Sequence, residues 1–105
     1  CAMDVSMSFI GGKWKTVVLW YLRKEAMRFG ELRKRCPQVT ERMLSITLKQ
    51  LEEDGLVQRK VYTKKPPLKV EYSLTEFGQS CIPMIEEIAK WGRMVSKTKG
   101  KIIES

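Results

Sequence analysis

The chain has 105 residues, 43% hydrophobic and 30% charged, the proportions of one small folded domain rather than of a disordered segment. The balance of 20 Lys+Arg against 12 Asp+Glu gives a net charge of +8 and a pI near 9.6, which favours a polyanionic partner such as nucleic acid or an anionic membrane surface. Histidine is absent and the three cysteines stand apart at 1, 36 and 81, so zinc-type spacing and Ser-His or Cys-His catalysis are excluded; no enzyme activity, metal or cofactor is expected.

No apolar run approaches a transmembrane length and no signal-peptide pattern opens the chain. Sparse, unpaired cysteines suit a reducing compartment, so a bacterial cytoplasmic location without membrane contact is expected. Because the first residue is Cys1 and not Met, a short native leader is expected ahead of it. One core of this size is small, and burial against a second subunit would add to it.

In chain order, "AMDVSMSFI" is helix-compatible and "GGK" ends it. "WKTVVLWYLRK" places Val17, Val18, Tyr21 and Leu22 on one face of a second helix, with Trp14 near its start. "MRF" suits a very short strand and "GELRKRC" a short helix that Pro37 closes. "VTERMLSITLKQLEEDGL" is the strongest helical pattern: Thr40 is its N-cap, Leu44, Leu48 and Leu51 its buried seam, and Gly55 its C′ residue. Strands follow over about Leu56 to Tyr62 and Lys69 to Leu74, joined by a loop containing Pro66-Pro67. Thr75 caps a last helical region reaching roughly Lys97, with Pro83 marking a kink or a restart. The predicted fold class is therefore mainly α with a small β-hairpin, an α+β winged helix-turn-helix. Its parts are N-terminal helices over 1–24, a helix-turn-helix over 29–55, a wing over 56–74 and a dimerisation helix over 75–105.

With the leucine seam inward, Arg42, Ser45, Ile46 and Lys49 point outward, offering a guanidinium, a hydroxyl, a methyl-bearing group and an ammonium to a major groove. Thr40 and Arg28, at the starts of the two helices, join them as DNA candidates. Glu41 serves the helix dipole or accepts from cytosine. An ordinary solvated face is the alternative, which an exposed isoleucine between cations disfavours. Arg59, Lys60, Lys64, Lys65 and Lys69 fall in the hairpin, where they suit phosphate contact; lysines that merely keep an edge strand soluble are the alternative. Arg33, Lys34 and Arg35 are secondary phosphate candidates, and Lys13 and Lys15 weaker ones.

In the last helix Ile82, Ile85, Ile88, Ala89, Gly92 and Val95 form one stripe, which Met84, Trp91 and Met94 broaden. Together with Met3 and Met7 of the first helix they suit a symmetric homodimer interface, or alternatively the core of a monomer. A dimer would present two recognition helices to a pseudo-palindromic site on double-stranded DNA. A winged-helix module that docks protein through the same surface is the competing function.

The segments "FIGGKWK", "RFGELRKRCP", "ERMLSITLKQLEEDGLVQRKVY", "PPLKVEYSLTEFG" and "IAKWG" resemble, in order and spacing, the HxlR-type bacterial regulators, which are MarR-like winged helix-turn-helix proteins. The resemblance implies a homodimeric DNA-binding transcription factor dimerised by its first and last helices. It also implies, for many members, sensing of an electrophile or oxidant through one cysteine ahead of the first helix, a position that Cys1 matches. Two departures stand out: Ala2 follows that cysteine where proline is common, and Leu68 intervenes before Lys69 in the wing. Cys36 and Cys81 match no sensing position and read as packing residues.

Overall fold

The computed structural model describes residues 1–12, 14–63 and 69–99. Its elements in order are α1 (Ala2–Ile10), α2 (Lys15–Leu22), α3 (Phe29–Arg35), α4 (Glu41–Glu53), β1 (Val57–Val61), β2 (Val70–Leu74), α5 (Glu76–Gln79) and α6 (Ile82–Lys99). Helix α4 starts where the Thr40 hydroxyl accepts from the Met43 amide at 3.0 Å, satisfying a donor that the first turn leaves without a partner. Its inner side buries Leu44, Thr47, Leu48 and Leu51, and full burial of each leucine contributes about 1.5–3 kcal/mol. Helix α2 is enclosed more widely than one stripe, since Leu19 is buried beside Val18 and Leu22.

The exit from α4 is a Schellman turn. The Gly55 amide bonds to the Glu52 carbonyl at 3.0 Å and the Leu56 amide to the Leu51 carbonyl at 2.9 Å, with Gly55 at φ +81. Leu56 is buried, and its carbonyl accepts from the Thr75 amide at 3.1 Å. The Thr75 hydroxyl donates to the Gly55 carbonyl at 2.6 Å and accepts from the Gly78 amide at 2.9 Å, which caps α5. Both ends of the hairpin and the start of the last helices therefore meet at one point.

The hairpin pairs Val57 with Leu74, Gln58 with Ser73, Arg59 with Tyr72, Lys60 with Glu71 and Val61 with Val70. The short strand expected at "MRF" is a single bridge, in which Met27 and Tyr72 exchange bonds of 3.0 and 2.8 Å. The last helical region is two helices, not one. Residues 80–81 separate α5 from α6, and Pro83 sits in the first turn of α6, where its missing N–H leaves no bond unmade. Pro83 is thus a restart and not a kink. Helix α1 reaches the body of the fold through Ile10, 8% exposed, and through Phe9, whose ring meets Phe77 of α5 edge-on at 5.4 Å. No helix among the described residues is long and apolar enough to cross a membrane.

A Cβ added at Gly78 would lie 2.0 Å from the Leu56 carbonyl oxygen, against backbone that cannot step aside. Gly78→Ala should destabilise the fold by about 2–3 kcal/mol, as overpacking against a fixed neighbour does. Gly55→Ala has room for its methyl and should lose about 1–2 kcal/mol from left-handed backbone alone. Urea denaturation followed by far-UV circular dichroism checks the order; equal losses would place the constraint elsewhere.

Candidate nucleic-acid interface

Helix α3, the turn through Cys36 to Val39, and α4 form the helix-turn-helix, and the turn is held from inside. Cys36 and Val39 are buried, the Val39 amide bonds to the Cys36 carbonyl at 3.1 Å, and Arg33 Nη1 donates to the Val39 carbonyl. Arg33 is thereby spent on the turn, and its expectation as a phosphate contact is corrected. Lys15 is corrected in the same way: its Nζ lies 3.5 Å from the Asp54 carboxylate, and its side chain is only 14% exposed. That pair ties the start of α2 to the end of α4. Lys13, Lys64, Lys65 and the Pro66-Pro67-Leu68 tip of the wing lie outside the described residues.

The remaining candidates face solvent. Arg42, Ser45 and Lys49 are exposed on the outer side of α4, and Ile46 stands among them at 38% exposure, beside Met43 at 38%. Thr40 is exposed too, although its oxygen already serves as the cap. Arg28 is the exposed N-cap of α3, where its own amide donates to Glu31 at 2.8 Å. On the hairpin Arg59, Lys60 and Lys69 are exposed.

Strand alternation puts Gln58, Lys60 and Tyr62 on the outer face of the hairpin, opposite Ser73, Glu71 and Lys69. Gln58 Nε2 donates to the Ser73 hydroxyl at 3.2 Å. Tyr62 is 48% exposed, and its ring lies 5.0 Å from Lys60 Nζ and 5.2 Å from Lys69 Nζ. The Glu71 carboxylate near it pushes the phenol above its ordinary range. Sequence reasoning finds the lysines but misses Tyr62 and Glu71. Alternation alone would have put Tyr62 beside Lys60, whereas Glu71 joins them only through the pairing register.

On the proposed dimer face Met3 and Met7 of α1 are 66% and 51% exposed, and Ile88 and Trp91 of α6 are 47% and 63%. Met84 and Met94 widen this surface. Ile85 does not belong to it: at 3% exposure it lies in the protomer's own core, and its expectation as an interface residue is corrected. Ile82 packs against that core, while Ala89, Gly92 and Val95 are half-buried.

Cys1 is exposed at the N-cap of α1, where the nearest charged side chain on its own helix is Asp4, not a basic group; the Asp4 carboxylate lies 3.5 Å from the Cys1 nitrogen. Burial pushes the Cys36 thiol up. Cys81 is pushed up by burial as well, and its Sγ donates to the Gly78 carbonyl at 3.0 Å. No cluster of potential metal ligands occurs among the described residues.

The pattern described as HxlR-like helix-turn-helix matches residues 9–99. An HTH-type transcriptional regulator of Methanothermobacter thermautotrophicus is 47% identical over 94 residues, which span 90% of this chain and 71% of the relative. The redox regulator HypR in its oxidised form is 42% identical, with a TM-score of 0.85 over 90% of this chain and 96% of its own. In its reduced form it is 40% identical, with a TM-score of 0.88 over 93% and 96%. Quinone-bound YodB from Bacillus subtilis is 27% identical, with a TM-score of 0.72 over 89% and 97%.

Native alkylation by iodoacetamide should label Cys1 first and Cys81 slowly, with Cys36 reacting only on unfolding, because a thiolate forms reluctantly where burial raises the pKa. Mass mapping of the labelled peptides over time gives the order. Early labelling of Cys36 would mean that the helix-turn-helix core opens locally.

Proposed function

This chain belongs to the HxlR-like helix-turn-helix family and is a transcriptional regulator; from that premise we propose that it acts as a homodimer on a pseudo-palindromic DNA operator. Each protomer lays the outer face of α4 in a major groove, with Arg42, Ser45, Ile46 and Lys49 against base edges and Thr40 and Arg28 toward phosphate. The wing follows the neighbouring backbone through Arg59, Lys69 and the tip lysines Lys64 and Lys65. The observation that carries this reading is the division of α4. Its inner side is fully enclosed, while its outer side presents two cations and a 38%-exposed isoleucine to solvent. Exposed methionines on α1 and the exposed Ile88 and Trp91 on α6 support a dimer through the two terminal helices, since a domain this small gains from covering them. The functional unit is taken as the single winged helix-turn-helix over 1–105.

A redox- or electrophile-dependent response is a second element of the proposal. Cys1 is the exposed thiol of the three and precedes α1, and similar chains include a redox regulator solved in oxidised and reduced forms and a quinone-bound regulator. Modification there would sit beside Met3 and Met7, on a helix of the proposed dimer surface. The step that couples the thiol to DNA would then be a change in how the two protomers pack.

Fluorescence anisotropy with a duplex from the regulator's own promoter region tests both elements. Arg42→Ala should weaken specific binding by about 1–3 kcal/mol and relax base preference, the loss expected for one base-edge contact. Unchanged affinity would remove Arg42 from the reading surface. Cys1→Ser should bind like the reduced protein and lose any response to diamide; a retained response would place the sensor elsewhere. Failure to bind any duplex at low salt would turn the same surface over to a protein partner.

A further inference from the structure

Helix α4 is held at its two ends by cations that belong to other helices. At its N-terminal end Arg33 of α3 donates through Nη1 to the carbonyl of Val39, the residue before the Thr40 cap. At its C-terminal end the carboxylate of Asp54, the C-cap residue, lies 3.5 Å from Nζ of Lys15, the first residue of α2. That pair is partly enclosed, with the Lys15 side chain 14% and the Asp54 side chain 34% exposed. Each member stands where the dipole of its own helix disfavours it, a cation opening α2 and an anion closing α4. Stabilising its own helix therefore explains neither residue, whereas the bond between the two helices explains both.

We propose that Lys15, Asp54 and Arg33 are positioning residues for sequence reading: they touch no DNA and set the direction in which α4 presents Arg42, Ser45, Ile46 and Lys49. This rests on the operator-binding reading above and deepens it. The leucine seam holds α4 against the core, but apolar contact is non-directional and sets tilt only loosely. Polar contacts are directional, and one at each end of the helix removes that freedom. Helix α4 has 13 residues, a length of about 20 Å, so a tilt of about 5° moves one end by roughly 1.7 Å. A hydrogen bond to a base edge does not survive such a shift. The attraction between surface cations and the phosphate chain, which carries no sequence information, does. Loss of either hold therefore lowers discrimination between sequences while affinity for DNA in general persists.

The test is anisotropy titration of the whole chain at several salt concentrations with two duplexes, one that the wild-type protein enriches from a random-sequence pool and one of random sequence. Lys15→Met and Asp54→Asn change the net charge in opposite directions, yet both should weaken binding to the enriched duplex. The expected loss is about five- to fiftyfold, the range for one base-edge contact. Random-duplex affinity and salt slope should stay near wild type. The double variant should lose no more than either single one, because both break the same bond. Arg33→Met should show the same selective loss, whereas a lost phosphate contact would flatten the salt slope by about one unit on both duplexes. Tighter binding in Asp54→Asn with weaker binding in Lys15→Met would reduce the pair to net charge and overturn the proposal. Equal losses on both duplexes, the mark of a destabilised fold, would overturn it too, as would additive losses in the double variant or wild-type discrimination in all of them. Failure of the wild-type protein to enrich any sequence would instead sink the operator-binding reading on which it stands.

Discussion

The backbone of Leu56 is the joint on which the other elements depend. Its amide closes α4 by bonding to Leu51, and its carbonyl accepts from Thr75. The same carbonyl oxygen is approached so closely by Gly78 that a methyl group there would overlap it. Three directions are thereby set at one residue: the exit of α4, the root of the hairpin, and the entry into α5 and α6. These bonds tie the root of the hairpin to the end of α4. On the proposed reading, with α4 in a groove and the hairpin beside it, an angle fixed before DNA is met avoids the affinity cost of ordering it on binding.

A second constraint sorts the basic residues into two populations. Lys15 on Asp54 links α2 to α4, Arg33 holds the turn carbonyl of Val39, and Arg23 lies 3.4 Å over the Trp20 ring, donates to the Trp20 carbonyl at 2.8 Å and faces Glu86 at 3.8 Å. These cations are consumed inside the protomer. Guanidinium suits such places because its planar fork bonds to a carbonyl and stacks on a ring at once. Arg42, Lys49, Arg59, Lys60 and Lys69 face solvent on α4 and the hairpin. Net charge alone therefore overstates the electropositive surface, and its direction comes from which cations the fold leaves over.

The thiols divide by the same logic of enclosure. Cys36 packs under the helix-turn-helix and Cys81 under the α5–α6 junction, where burial disfavours the thiolate. Cys1 escapes because α1 contacts the rest of the protomer mainly through its C-terminal end, at Phe9 and Ile10, and leaves Met3, Val5 and Met7 outside. Reactivity and the apolar surface proposed for dimerisation thus fall on the same short helix. A chemical change at Cys1 would lie away from the protomer's core and beside the surface proposed for dimerisation.

Much of this was legible in the residues alone. Thr40 as cap, Gly55 as the left-handed terminator, the Leu44–Leu48–Leu51 seam and the outward Arg42, Ser45, Ile46 and Lys49 follow from helical periodicity and local backbone chemistry, which act over a few residues. The two strands followed from their alternation and the turn between them. What the sequence could not assign were roles decided between segments far apart in the chain. Ile85 shares its stripe with Ile88 but turns into the protomer's own core. Lys15 and Arg33 look like any surface cation until Asp54 and the Val39 carbonyl arrive beside them. Glu71 joins Lys60 and Tyr62 only because the hairpin register sets it there. Periodicity and capping are properties of a chain segment; partnership and enclosure are properties of the packed molecule, and only the tertiary structure settled those.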